Sequence, residues 1–273
     1  MKILFIGDIV GRPGRAIVRG LLPKLKEEFS PDVIIANGEN AAAGVGITKK
    51  VYDELMDLGI DVITMGNHMW GRKEFMSDVS SCPNLVRPAN YPEGVPGKGH
   101  EIFSSNGTKY GVANLVGRVF MPCIDCPFHA ANAIVQKMRP ETPIIFIDFH
   151  GEATSEKNAL AWYLDGKVSA VIGTHTHIQT ADERILPKGT AFITDAGMVG
   201  AYDSIIGVQK EQIIKRFLLS MPERFEPEDK GPGLFNGLVI DIDDNGRAKK
   251  IERIYRIVKD MGALKQKENQ SDL

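Results

Sequence analysis

Five short apolar runs punctuate this chain, and each is closed at once by side chains bearing oxygen or nitrogen. They are KILFIG (2–7) before Asp8, VIIAN (33–37) before Glu39 and Asn40, DVITMG (61–66) before Asn67 and His68, PIIFIDF (143–149) before His150, and VSAVIG (168–173) before His175 and His177. Near-continuous apolar runs with β-branched content read as strands buried on both faces. Helical spacing separates the first three. Residues 14–29 place Ile17, Leu21, Leu22, Leu25 and Phe29 on one side, Pro13 suits a first helical position, and Pro23 predicts a kink. Thr48 then caps a helix through Leu58, with Val51, Leu55 and Leu58 facing inward. Strand–helix–strand–helix–strand implies α/β architecture, a mostly parallel sheet with right-handed crossovers.

The later chain follows the same pattern with additions. Residues 77–108 are rich in Pro, Gly, Asn and Ser and read as connecting loops and edge strands, a candidate flap over the site. Strands are expected over 109–117 and 190–197, and helices over 130–139, 155–164 and 207–219. In the second helix Ala159, Trp162 and Tyr163 are available for packing. GLVIDIDDNGR (237–247) and KKIERIYRIV (249–258) alternate on both sides of Asp244-Asn245-Gly246, which predicts a C-terminal antiparallel hairpin. No composition break marks a second domain, so one domain is expected over 1–258, followed by a polar tail, 259–273.

Bulk properties exclude several classes. The chain has 273 residues and a net charge of −2, so no global basic field draws it to nucleic acid. No run approaches the roughly 20 apolar residues that span a bilayer. MKILFIGD is too short to be a secretory signal, and a cytoplasmic location is the default. Three cysteines make no disulfide framework. Cys123 and Cys126 form a C-x-x-C without the second pair that a zinc knuckle needs, and incidental thiols are expected there. Cys82 is expected to be buried or partly buried.

The strand ends carry the chemistry. In open parallel sheets, sites form at the carboxyl edge of the strands. Asp8, Glu39, Asn40, Asn67, His68, His150, His175 and His177 all fall there, including four of the six histidines. Two carboxylates with amides and imidazoles, and no thiolate, suit iron, manganese or zinc. Eight groups are too many for one tetrahedral ion, so two ions roughly 3.5–4 Å apart are expected, bridged by Glu39. Their surplus positive charge would acidify a bridging water and attract an anion, which points to a small phosphate ester.

GD (7–8), GEN (38–40), GNH (66–68), FH (149–150) and GTHTH (173–177) resemble, in order and spacing, the calcineurin-like metallophosphoesterases. There are departures from the broad pattern: Val10 stands where a histidine is usual, Glu39 where the bridging aspartate is usual, and Met69 where an acidic residue follows Asn-His. Together with GDIVGRPGR, NGENAAAG, GNHMW and DFHGEATSEK, these departures resemble the YmdB-like branch along nearly the full chain. The resemblance implies an αββα sandwich, a dinuclear iron-type site and phosphodiesterase activity, with 2′,3′-cyclic nucleotides among the substrates. It implies that Asp8, Glu39, Asn40 and His177 hold the first metal, and Glu39, Asn67, His150 and His175 the second. It implies His68 as proton donor to the leaving oxygen, leaving open what orients its ring. It implies a homo-oligomer only weakly.

Other polar residues carry weaker expectations. Glu152 is either a support near His150 or a solvated helix-start acid. Asn37 and Thr174 either orient ligand loops or make ordinary strand-end bonds. Asp203 and Ser204, in GAYDSIIG, lie in a loop that could reach substrate. His100 and His129 follow no buried strand and are not expected to be ligands. Two rival functions remain: a phosphomonoesterase (a nucleotidase or protein phosphatase), and a regulatory or RNA-associated protein with a structural metal site. The second lacks a basic, aromatic-lined surface.

Overall fold

The computed structural model describes residues 1–262. The chain opens with β1 (Lys2–Ile6) and β2 (Asp8–Ile9), then α1 (Gly11–Phe29), β3 (Val33–Asn37), α2 (Lys49–Asp57) and β4 (Val62–Thr64). Short α3 (Phe75–Asp78) leads to β5 (Leu85–Val86), the edge hairpin β6 (His100–Ser105) and β7 (Thr108–Val116), and α4 (Pro127–Met138). Next come β8 (Ile145–His150), α5 (Thr154–Leu164), β9 (Ala170–Thr174), β10 (Arg184–Ile185), β11 (Ala191–Ile193), β12 (Met198–Ala201), α6 (Lys210–Leu219), β13 (Gly233–Ile242) and β14 (Ala248–Val258).

The strands divide into two sheets. In the first, β1, β3, β4 and β5 run parallel, and β13 joins antiparallel to β1, with β14 on its outer side and β12 and β2 continuing the edge. In the second, β11, β9, β8 and β7 run parallel between antiparallel edge strands β10 and β6. Side chains alternate across each strand, which sorts the core into layers. Ile3 and Phe5 of β1 and Val33 and Ile35 of β3 face Val112, Phe146 and Ile172 between the sheets. Leu4, Ile6 and Ile34 instead meet Ile17, Leu22 and Leu55 of α1 and α2. On the far side, Ile145, Ile147 and Phe149 meet Ile134, Val135 and Leu160 of α4 and α5. The result is the expected αββα sandwich. Phe5 and Phe146 fasten its centre with ring centroids 5.2 Å apart. Such a pair is worth about 0.5–1.5 kcal/mol beyond the area it buries.

Several local expectations change. Helix α1 begins at Gly11 and continues through Pro23 to Phe29. Residues 190–197 are not one strand: β11 ends at Ile193, and the chain crosses to the other sheet as β12. The C-terminal hairpin forms as expected, and β13 pairs with β1 inside the first sheet. In α5 the inward face is Glu156, Lys157, Leu160, Ala161 and Leu164, while Trp162 is 52% exposed. The charged pair is buried because each member finds a tertiary partner. Glu156 accepts the N–H groups of Arg118 and Val119 at 3.0–3.1 Å, and Lys157 donates to Asp195 at 2.8 Å. Met261, placed in a polar tail by sequence, is fully buried against the α1 layer; residues 263–273 of that tail lie outside the described residues.

Candidate metal centre

The first sheet delivers its polar residues at the carboxyl ends of β1, β3 and β4. Asp8 and Glu39 are fully buried, and Asn40 is 3% exposed. Asn67 and His68 sit in the turn after β4. The second sheet delivers His150 at the end of β8, and His175 and His177 just past β9. All eight meet at the seam between the sheets. Glu39 Oε1 lies 3.1 Å from His150 Nε2 and 3.1 Å from His68 Nδ1. His150 Nε2 lies 3.0 Å from Asn67 Oδ1 and 3.0 Å from His175 Nδ1. Asn40 bridges His177 Nε2, at 3.1 Å from its amide nitrogen, and His68 Nδ1, at 2.8 Å from its amide oxygen. Asp8 Oδ2 accepts the His175 backbone N–H at 3.3 Å. Donor atoms of Glu39, His150 and His175 all lie within 4.8 Å of one another.

Partners behind the rings set which nitrogen faces the centre. Thr174 donates its hydroxyl to Asp148 Oδ1 at 2.7 Å, so its oxygen receives His150 Nδ1–H at 2.9 Å. His177 Nδ1–H donates to the Ile206 carbonyl at 2.8 Å. In both residues Nε2 is left to point inward, as a metal-binding imidazole requires. Asn40 and Glu39 hold His68 Nδ1, which answers what orients that ring.

The electrostatics are those of crowded charge removed from water. Burial, reinforced by Asp195, Glu39 and Asp148, raises the Asp8 carboxyl well above its usual range against the pull of His150. Burial also opposes ionisation of Glu39, but His150 and His68 outweigh it and hold that carboxyl well below its usual range. His150 resists burial through Glu39, Asp8 and Asp148 and titrates at about 9, whereas burial and the neighbouring His150 push His175 down to about 3. Burial lowers His177 as well. A neutral imidazole is the form that ligates a cation, which His175 and His177 already favour, while a cation would have to displace the proton that the carboxylates hold on His150.

The pocket fits cations on its own features. Asp8 Oδ1 is buried with no hydrogen-bond partner, an acceptor left over by the protein. Gly66 is a cradle: a Cβ there would stand 2.2 Å from Glu39 Oε2 and 2.5 Å from His150 Nε2. His175 and His177 adopt positive φ, 100° and 64°, a region uncommon for any residue but glycine. Two such residues store of order 1–3 kcal/mol each. Asp195 holds them by accepting the N–H and hydroxyl of the intervening Thr176, at 3.0 and 2.7 Å.

Neither Asp148 nor Asp195 stands out by motif, yet both brace the centre. Asp148 accepts from Asn37 at 2.9 Å and Thr64 at 2.5 Å in the first sheet and from Thr174 in the second. The available signal is a lone acid inside or beside an apolar strand, which must find partners. Asn37 and Thr174 thus take their loop-orienting roles, and Asn37 Oδ1 also receives Glu39 N–H at 3.1 Å. Glu152 meets His175 Nε2 at 3.2 Å rather than His150. The 200–207 loop reaches the cavity through Ile206, while Ser204 pins the loop to itself. Residues 77–108 supply none of the groups lining the cavity at the centre. His100 and His129 lie outside the cluster. Cys82 is buried, Cys123 exposed, and all three cysteines are free thiols.

Known proteins share this architecture. A Staphylococcus aureus structure described as a putative 5′-nucleotidase shares the fold at 15% identity, covering 98% of this chain and 58% of that one, TM-score 0.59. A Mycoplasma pneumoniae structure described as a novel phosphatase superposes with TM-score 0.90 at 37% identity, covering 97% of this chain and 96% of that one. The class is therefore the two-sheet αββα sandwich that these structures share. Within it, the family model described as YmdB-like protein matches residues 4–254, and the chain belongs to that family. The Bacillus subtilis 2′,3′-cyclic-nucleotide 2′-phosphodiesterase is 56% identical over 255 residues, 93% of this chain and 96% of the relative.

Proposed function

We propose that this chain is a metal-dependent phosphodiesterase acting on nucleoside 2′,3′-cyclic phosphates. The observation that carries the proposal is the convergence of Glu39, His150 and His175 within 4.8 Å, ringed by Asp8, Asn40, Asn67, His68 and His177. The 56% identity to the Bacillus enzyme supports the choice of substrate. Asp8, Glu39, Asn40 and His177 would hold one ion, and Glu39, Asn67, His150 and His175 the other, iron being the first candidate and manganese or zinc the alternatives. Such a pair supplies hydroxide near neutral pH and a clamp for phosphate oxygens.

The protein's own groups do the rest. Asp148 and Thr174 fix His150 Nε2 inward, and the Ile206 carbonyl fixes His177. His68, 37% exposed, lines the open cavity with Nδ1 held by Asn40, so Nε2 is free to protonate a departing sugar oxygen. Water adds to phosphorus, the bond to the ribose 2′ oxygen breaks, and that oxygen leaves as a hydroxyl beside a 3′-phosphomonoester.

Steady-state kinetics on adenosine 2′,3′-cyclic phosphate and on adenosine monophosphates test the proposal. Preference for the cyclic diester, lost on chelation and restored by iron or manganese, is the expected result. Preference for the monoester would make the chain a nucleotidase-type phosphomonoesterase. Turnover indifferent to chelation would remove the metal from the reaction.

A further inference from the structure

The cavity beside Glu39, His68, His175 and His177 has a volume of about 400 Å³, and the side chains of one part of its lining are not used in the chemistry above. That wall is apolar, formed by Val10, Val45, Ile206, Val208, Phe225 and Pro227. Three of these are large apolar side chains left in contact with solvent: Val45 is 41%, Ile206 43% and Phe225 42% exposed. Apolar surface gathered at the lip of a polar cleft is the usual form of a small-molecule seat. The ionisable lining groups, Glu39, His68, Glu152, His175 and His177, are those of the metal-binding cluster and of Glu152, which meets His175.

The wall is built, not incidental. Ile206 is β-branched yet has φ of 49°, a conformation such residues rarely adopt. Its carbonyl takes the His177 Nδ1–H, so one strained residue both orients a ligand and lines the cavity. The segment carrying Phe225 is tied down immediately after that residue. Glu226 N–H donates to Gln212 at 2.8 Å, Gln209 N–H to the Glu226 carbonyl at 3.1 Å, and Glu228 N–H to the Gly207 carbonyl at 2.9 Å. The Arg216 guanidinium lies 5.3 Å from the Phe225 ring centroid, close enough to steady the ring by cation–π attraction.

We propose that this wall seats the nucleobase of the substrate, with Phe225 as the stacking platform and Val45 and Ile206 at its flanks, an inference that rests on the phosphodiesterase proposal above. The side chains that form the wall carry no charge, so what the wall recognises is a flat π-face. The five-membered cyclic phosphate then falls at the metal-binding end of the same cavity.

The test compares kcat/KM for adenosine 2′,3′-cyclic phosphate with kcat/KM for base-free glycerol 1,2-cyclic phosphate, in the metal-loaded wild type, Phe225→Ala and Phe225→Tyr. The wild type is expected to favour the nucleotide. Phe225→Ala should lower that preference about tenfold, mainly through KM, and Phe225→Tyr should keep it, on the scale of aromatic–base stacking. A wild-type ratio near one, or a ratio unchanged in Phe225→Ala, overturns the base seat and leaves the phosphodiesterase proposal standing. A loss that Phe225→Tyr shares equally overturns stacking as its basis. A wild type that hydrolyses neither ester overturns both.

Discussion

Lys157 and Asp195 form an ion pair of 2.8 Å with side chains only 1% and 0% exposed. Asp195 also receives Thr176, between the two strained histidines, and the Gly197 N–H at 2.8 Å. Removing one partner of a buried pair leaves an uncompensated charge and costs about 3–5 kcal/mol. Asp195→Ala should lose stability on that scale in urea titrations and should also bind less metal. The double variant Lys157→Met with Asp195→Leu should recover much of the stability but not the metal content, because Thr176 remains unheld. Full metal content in the double variant would mean that Asp195 does not position His175 and His177.

His68 is partly exposed and holds to the centre only through Asn40 and Glu39. His68→Ala should keep its metals and lose turnover by about 10²–10⁴-fold, the scale of general acid catalysis. Elemental analysis beside the rate checks this. Loss of the metals would make His68 a ligand instead.

Gly66 has no room for a methyl group, since a Cβ would collide with both Glu39 and His150. Gly66→Ala should displace one of them and depress metal content several-fold, while the far-ultraviolet circular dichroism stays that of the wild type. Equal metal loading in the variant would show that the two side chains can retreat without cost.

Away from the centre, burial holds the His100 imidazole below its ordinary value, helped by Lys137 and Arg87 and opposed by Glu101. A depressed imidazole resists a proton that the unfolded chain accepts, so folding stability declines as pH falls below about 6.5. The decline ends once pH passes below the folded-state value. Melting temperatures measured between pH 7 and 5 should therefore fall more steeply in the wild type than in His100→Gln. Parallel curves would rule out this histidine as a source of acid sensitivity.

Much of this architecture is legible in the amino-acid order, because parallel strands buried on both faces must be almost wholly apolar. KILFI, VIIAN and IFIDFH are buried along nearly their whole lengths, and their ends mark the site. What stays hidden is settled by distant partners. Nothing in KILFI says that β13, more than 200 residues later, will lie against it. Glu156 and Lys157 look like solvent-facing charges, and only Arg118, Val119 and Asp195 explain why they turn inward. The run 190–197 reads as one strand because the switch between sheets happens at Asp195–Gly197, where a local pattern has nothing to report.

Both carboxylates of the centre come from one sheet, and the three imidazoles at its floor from the other. A cation held among them is therefore a rivet across two leaves of the molecule as well as a reagent. If the chain were cut in the exposed 106–107 turn, the leading piece would carry Asp8, Glu39 and Asn67, and the trailing piece His150, His175 and His177. Neither piece alone could assemble the chemistry, and reunion of the two should tighten as metal is added. A bound cation would then add to the cohesion of the two pieces, beside the β1–β13 pairing that also joins them.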